Sequence, residues 1–586
     1  MKKYILMLAS SLMLVSCVDT IILPDDKTVD EDFWQTKEQV SSMVNGAYAA
    51  MTSSDYMARI YVWGGFRGDE FLRSSEVTDN NNAVVLALDE IAAANMQTTN
   101  MFALWASFYD VINRCNIVLS RAAEVMEIDP NYTQGDYEVD CSQMLALRAL
   151  CYFYLVRNFR DVPYTTTAYM NTSQERQLPQ SAPAYVLEQC IKDLEEASQN
   201  ALSSSGFSLS DWRRVGWITA DAINSILADI YLWRASITHS MSDYARCVEY
   251  CDKVIASKKA QHIPGRNEVV EKEYPLADAE QMFDKLFIEQ NAEESIFELQ
   301  SRGNGALYNY YYKYKSANAN GGTGYLKATP IFGSPTSSKL TASTAISNAN
   351  LFYNGDLRYY GACYLPGSGE ESYHIRKIIS ETAVTGKNAL KARETLSSTT
   401  DRNYIFYRLT DVMLMKAEAL VQQVDTTQES TVQADQMRIP FNLVQAVNTR
   451  ALSQENVADS MTWSVFRSLN REQFELLVLQ ERMREFCFEG RRWYDLLRYN
   501  YRRMTGVDYS RTMADIVDGG GILPANNRDA LSLMTRQRGT EQSGVMAKMV
   551  NEAFLYMPIP NSDIIVCPLL RQNPVYSNSN EYEKSY

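Results

Sequence analysis

The chain has 586 residues, 46% of them apolar and 22% charged, with a mean hydropathy of −0.29. Those values exclude a disordered chain and leave a large folded body with a substantial core. A net charge of −15 excludes nucleic acid as a partner, since phosphate binding needs a basic surface, and with only 3 His a zinc hydrolase or histidine base is poorly supported.

The N-terminus reads Met1-Lys2-Lys3, then an apolar run from Tyr4 to Val15 and a small residue, Ser16. This is the pattern of an export signal over residues 1–16, too short for a permanent membrane span. Leu14-Val15-Ser16-Cys17 resembles a bacterial lipobox, which implies cleavage before Cys17 and acylation of that residue. An ordinary signal followed by a chance cysteine is the alternative. Multiple acyl chains on Cys17 would anchor the chain stably to a membrane, with residues 17–35 as lipidated residue and tether. No other run reads as long and apolar enough to span a bilayer. Nine cysteines follow Cys17, an odd number without a CxxC spacing, and Cys247 and Cys251 lack further ligands for a metal. They read as buried thiols.

Residues 36–586 read as one body. Thr36 to Met51 has helical periodicity through Val40, Met43, Val44, Ala47 and Met51. Thr52 to Asn82, rich in Gly, Asp and Asn, reads as a loop. Helices follow at about 101–127, 141–159, 183–202, 219–236 and 242–256, with Pro183 in a first turn and Ser242 and Asp243 as caps. Between 258 and 403 periodicity fades into a Gly-, Ser-, Asn- and Tyr-rich excursion with short strand-like pieces such as Ser295–Leu299. Helices return at Tyr407–Gln423, Gln433–Ala451 and Arg471–Asn500, followed by a second loop insertion at about 504–548. The fold class is therefore mainly α: a tetratricopeptide-like helix-pair scaffold over about 101–256 and 404–500, with long irregular insertions and few short strands.

Glu481, Glu485 and Glu489 repeat every four residues, and Arg482 and Arg492 lie three from Glu485 and Asp495, which suits ion pairs along or between helices. A glycosidase reading of Glu481 and Glu489 fails on distance. Two helical turns separate them by roughly 12 Å, against roughly 5–5.5 Å for a retaining pair and roughly 6.5–9.5 Å for an inverting one. Gly64-Gly65 and Gly321-Gly322-Thr323-Gly324 lack the Lys-Ser/Thr ending of a phosphate loop, and no GxSxG or HExxH motif is present.

Five separated segments carry a family resemblance. Tyr407-Arg408-Leu409-Thr410-Asp411-Val412-Met413-Leu414-Met415-Lys416-Ala417-Glu418-Ala419 resembles a helix written YRLADVLLMYAEA in the SusD/RagB family of nutrient-binding outer-membrane lipoproteins. Glu489-Gly490-Arg491-Arg492-Trp493-Tyr494-Asp495-Leu496 resembles its EGxRWYDL segment, and Pro558-Ile559-Pro560 with Gln572-Asn573-Pro574-Val575-Tyr576 resembles its PIP…QNPGY ending. Asn291–Glu298 and Leu145–Phe153 match in order and kind. The resemblance implies a lipid-anchored protein of the cell surface, seated over a SusC-like TonB-dependent outer-membrane channel. Such a protein binds oligosaccharide, or peptide in the RagB branch, and passes it on uncleaved. It needs no cofactor, although some members hold structural calcium; the Asp and Asn between Ser74 and Asn82 show no spaced calcium loop. A non-catalytic assembly scaffold is the remaining alternative.

Glycan capture requires flat aromatic faces flanked by groups that bond hydroxyls. Two segments have that composition: Trp63, Phe66, Arg67, Asp69 and Glu70 in the early loop, and Tyr308, Tyr311 and Tyr312 within a tyrosine run leading to Tyr325. The resemblance places ligand contacts in these two regions. The tyrosine run reads equally as a strand or turn packing alternate rings inward.

Overall fold

The computed structural model describes residues 33–74, 82–171, 173–262, 273–301, 324–347 (except 334, 336 and 338), 351–362, 375, 377 and 402–576. The signal, Cys17 and most of the tether lie outside the described residues, as does Cys363. The other eight cysteines after Cys17 are free thiols, all buried except the half-buried Cys141.

The predicted first helix forms as α1 (Lys37–Met51). The following segment, expected as a loop, begins instead with α2 (Ser54–Tyr61), whose Ser53 side chain accepts from the Tyr56 N–H, and continues into a π-helical turn over Val62–Phe66. Tyr56 to Phe66 are all buried, Arg59 included, so the stretch turns no face to water although its composition is that of a polar, glycine-containing loop. It leads into strand β1 (Phe71–Arg73) and helix α3 (Ala83–Ala92).

Four helices form the first half of the scaffold: α4 (Ala106–Ile128), α5 (Gln134–Phe159), α6 (Pro183–Ala197) and, after the single turn α7 (Arg213–Gly216), α8 (Ala220–Thr238). Helix α5 starts seven residues earlier than expected because Thr133 and Asp136 cap its end reciprocally, at 3.2 and 3.1 Å. By length and hydropathy α5 would suit a membrane span, which the sequence reading missed. However, 83% of that apolar window is buried inside the protein, and α5 is its central core helix. In α9 (Met241–Gln261) the cap is Ser240, which accepts from the Asp243 N–H at 3.2 Å, rather than Ser242 or Asp243.

The excursion leaves the scaffold through β2 (Ser295–Leu299) and carries β3 (Leu326–Ala328). It returns through β4 (Tyr404–Arg408) directly into α10 (Leu409–Gln422). β2 and β4 pair antiparallel, Ser295 opposite Arg408 and Leu299 opposite Tyr404, so the excursion leaves and re-enters at one place. The helix array therefore continues across it. α1 packs on α4, α4 on α5, α5 on α6, α6 on α8, α8 on α9, and α9 on α10. α10 in turn packs on α11 (Arg438–Arg450) and α12 (Arg471–Phe486). This is the expected helix-pair architecture with few short strands.

The helix expected over Arg471–Asn500 breaks after Phe486 and resumes as α13 (Arg492–Tyr501). Phe488 and Gly490 have φ of +65° and +71°. A Cβ on Gly64 would stand 1.8 Å from the Gly490 carbonyl oxygen, so the early segment and this break meet backbone to backbone. The second insertion also differs from expectation: it contains α14 (Met513–Asp518), α15 (Arg528–Thr535) and α16 (Gln542–Met549). These helices are too short for a periodic signal, but Thr512 and Asn527 cap the first two.

Buried charges join these parts. Arg408 at the end of β4 pairs with Glu294, Glu485 and Glu489, and Arg450 of α11 pairs with Glu294 and Glu485. Arg358 of the excursion contacts Asp356 and Glu481 at 2.8 Å and Glu485 at 3.0 Å. Arg484 holds Glu481 at 2.9 Å and Lys377 holds Glu489 at 2.7 Å. Arg482 pairs with Asp411 and Asp495, and Arg492 with Asp69, so the anticipated ion pairs run between elements rather than to Glu485 or from Arg492 to Asp495.

Burial alone would raise the Glu489 carboxyl, but Arg408 and Lys377 outweigh it and hold it down at about 2; Glu485 is likewise held well below its ordinary range by Arg450, Arg408 and Arg358. Carboxyls depressed in the fold contribute stability that is present above their unfolded pKa and lost as pH falls through the folded value. Arg408→Met leaves Glu485 to Arg358 and Arg450 and Glu489 to Lys377, in a buried set one positive charge short, and is expected to cost about 3–5 kcal/mol. A chemical-unfolding series should show the midpoint falling at neutral pH. It should also show a smaller further loss between pH 5 and pH 3 than in the unaltered protein. An unchanged midpoint would mean that Arg408 holds nothing together.

Candidate functional site

Of the two segments expected to build the ligand surface, the early one meets the described end of the second, from Tyr325 to Thr329. β1 and β3 pair antiparallel, Phe71 opposite Ala328 and Arg73 opposite Leu326. The Thr329 N–H donates to the Glu70 carbonyl at 3.0 Å, and the Ser74 N–H to that of Tyr325 at 2.7 Å. The Asn82 amide donates to the Tyr325 hydroxyl at 2.9 Å while its carbonyl oxygen caps α3, so one residue fixes both strand ends and the next helix.

The named side chains of the early segment do not reach solvent. Trp63 is fully buried, its ring stacked on Phe108 at 4.8 Å and its indole N–H donating to the Phe102 carbonyl at 2.7 Å. Phe66 is fully buried too. Arg67 lies over the Trp493 ring at 4.4 Å and donates to the Leu555 carbonyl. Asp69 accepts from Arg492 at 2.7 and 3.1 Å and pairs with Arg536. These four are interior groups and cannot present a face to a glycan; composition matched a binding loop, but the Gly64–Gly490 approach draws the segment inward. Tyr325 keeps only 8% of its surface exposed and serves as a brace. Tyr308, Tyr311 and Tyr312 lie outside the described residues.

A cleft of about 360 Å³ lies between α14 and the C-terminal segment, lined by Gln180, Met513, Asp515, Leu569, Arg571 and Gln572, among others. Its amides are already committed. Gln180 bonds both ways with the Arg571 backbone, and Gln572 with that of Ile559. The cleft is a seam that ties the C-terminus down. The buried Glu481, Glu485 and Glu489 are clasped by arginines and held ionised, so they supply neither a proton donor nor a free nucleophile. Among the described residues no group of three or more His, Cys, Asp or Glu is arranged to hold a metal ion.

Exposed aromatic groups lie elsewhere, at Tyr185 of α6, which meets Tyr164 edge to face, and at Trp212. Trp212 is 45% exposed beside the half-buried Trp217 and Phe207, on the loop between α6 and α8. Sequence reasoning missed them; the signal was three large aromatics at five-residue spacing in a Ser-rich stretch, flanked by Asp211 and Arg213.

The fold and these sites define a helix-pair scaffold carrying an inserted loop face, in which the clustered carboxylates serve structure. A family model described as "SusD family" matches residues 287–576, and one described as "Starch-binding associating with outer membrane" matches residues 23–232. The SusD-like protein P38 of Formosa agariphila is 25% identical over 521 residues, spanning 84% of this chain and 90% of that protein. B. fragilis NanU shares the fold with a TM-score of 0.63 at 16% identity, over 95% of this chain and 100% of that one. Surface glycan-binding protein A from Bacteroides uniformis does so with 0.62 at 17% identity, over 92% and 100%. The chain belongs to the SusD family.

Because Trp63 is a core group, Trp63→Ala should cost about 3–5 kcal/mol of stability. Ligand affinity, measured per folded molecule, should be unchanged. Loss of affinity with an unchanged unfolding midpoint would return Trp63 to the binding surface.

Proposed function

We propose that this protein is a cell-surface lipoprotein that captures oligosaccharide and passes it, uncleaved, to a TonB-dependent outer-membrane channel of the SusC type. The observation that carries this reading is the match to two family models, one over residues 23–232 bearing a starch-binding and outer-membrane description and one over residues 287–576 that spans most of the excursion and the rest of the scaffold. Surface glycan-binding protein A shares the whole architecture and supports the same ligand class. The lipobox-like Leu14–Cys17 supplies the anchor, with Cys17 as the lipidated residue. The pinned carboxylates favour capture over hydrolysis, and the reading calls for no cofactor.

The test is titration of the purified mature chain, followed by tryptophan fluorescence, against plant, host and microbial glycans and a peptide mixture. New reducing ends are assayed in the same samples. Saturable binding of one glycan class without product is the expected result. Product release would make the protein an enzyme, and a response confined to peptides would move it to peptide uptake.

A further inference from the structure

The loop from Ser203 to Ile218, joining α6 to α8, is closed at its base: Leu202 and Thr219 form a parallel bridge, and the Ala220 N–H donates to the Leu202 carbonyl at 2.8 Å. Buried Arg214 ties the middle of the loop to the approach of β2, donating to the carbonyls of Asn291 and Ala292 at 2.8 and 3.0 Å. Gly216 lets the Trp212 indole lie on the backbone. A Cβ there would fall 2.6 Å from Trp212 Cε3 and 2.8 Å from Gln300 Cγ. One part of the indole is thus wedged against the loop and Trp212 nevertheless stays 45% exposed, a ring held in place before any ligand arrives.

Its surroundings resemble a small polar recognition site more than an apolar patch. Trp217 meets Trp212 edge to face, 6.1 Å between centres at 81°, and meets Phe207 at 6.4 Å and 87°. The Arg213 guanidinium lies 5.4 Å from the Phe207 ring centre and 5.5 Å from that of Trp217, oriented by Asp211 through bonds of 2.7 and 3.0 Å. The charges of Asp211 and Arg213 cancel, and the rim carries the exposed Ser203, Ser205, Ser208 and Ser210. Gln300, next to Gly216, is one of the last described residues before the chain enters the tyrosine-rich part of the excursion.

We propose that Phe207, Trp212 and Trp217 form a carbohydrate platform for a neutral pyranose chain, with Trp212 stacking against the C–H face of one ring and Asp211, Arg213 and the serines bonding its hydroxyls. An exposed indole matches the apolar face of a sugar, and a balanced ion pair offers donors and acceptors without selecting a charge. The balanced Asp211–Arg213 pair leaves the site itself without net charge, which favours a neutral chain over a polyanionic one. A protein partner is disfavoured because a stable interface buries about 1,200–2,000 Å² around an apolar centre, whereas here one exposed ring lies on a loop rich in exposed serines and an ion pair.

The proposal rests on the glycan-capture reading, and its test separates the two. The unaltered mature chain, Trp212→Ala and Trp212→Phe are titrated against a panel of neutral and anionic oligosaccharides, with an unfolding curve for each variant. Unaltered stability is expected for both variants. Affinity for the bound neutral glycan should fall roughly 10- to 30-fold in Trp212→Ala and less in Trp212→Phe, which keeps a ring. Full affinity in Trp212→Ala overturns the platform while glycan capture stands. Preference for an anionic glycan overturns the neutral class. Binding of no glycan by the unaltered chain overturns both.

Discussion

The constraint on which the rest depends is the charge balance around Arg408. Glu294, Asp356, Glu481, Glu485 and Glu489 face Arg358, Arg408, Arg450, Arg484 and Lys377, five against five, in a region shut off from water. Removing ions from water is expensive, and an apolar replacement of equal volume would often be more stable. What such a set provides is specificity, because each carboxylate is tolerated in the interior only with its own partners in place. Those partners come from both sides of the insertion: Glu294, Asp356, Arg358 and Lys377 from the strand approach and the excursion, the others from β4, α11, α12 and, for Glu489, the break that follows α12. The insertion is held in one register on the scaffold, and the loops it carries have a rigid base.

This arrangement explains how much was legible in the sequence. Helices with one wet face announced themselves by period, but their limits moved: the Thr133–Asp136 cap starts α5 early, α4 begins only at Ala106, α6 ends at Ala197, and Tyr407 and Arg408 belong to β4 rather than to α10. The segments that misled are those whose signal is contact with distant chain. Gly64-Gly65 has the composition of a flexible loop, yet its glycines are there because Gly490 and Phe71 leave no room for a side chain. The break between α12 and α13 has the same cause, seen from the other partner. Neither was readable until the two segments, more than 400 residues apart in sequence, were placed side by side.

Of the residues expected to face a ligand, Trp63, Phe66, Arg67 and Asp69 are interior, and Tyr308, Tyr311 and Tyr312 lie outside the described residues. That the early segment and the excursion belong together was a family inference, and the β1–β3 ladder with Asn82 bracing Tyr325 joins their described ends. The expected aromatic face went astray because aromatic composition does not report orientation. Trp63, Trp233 and Trp493 are among the largest fully buried side chains of the protein, and many tyrosines are buried with them. In a chain with 37 Tyr and 8 Trp, most rings belong to the core, so exposure discriminates where abundance does not.

Exposure alone would still be weak, since isolated apolar groups are common on protein surfaces. Trp212 differs because its loop is anchored to the core through Val215, Ile218 and Arg214, which leaves the exposed ring on a fixed base. Arg214 is buried to hold α7 against the strand approach, and Gly216 gives up a side chain to seat the ring, while the indole itself remains in water. Burying a guanidinium costs free energy unless its bonds are met, and two of its nitrogens, Nε and Nη1, have no hydrogen-bond partner here. Arg214 ties the loop to the approach of β2 and faces the buried Glu298, so the exposed ring sits on a base that the core itself holds in place. The same logic distinguishes it from the C-terminal cleft, where the larger volume is closed over by amides already bonded to the backbone.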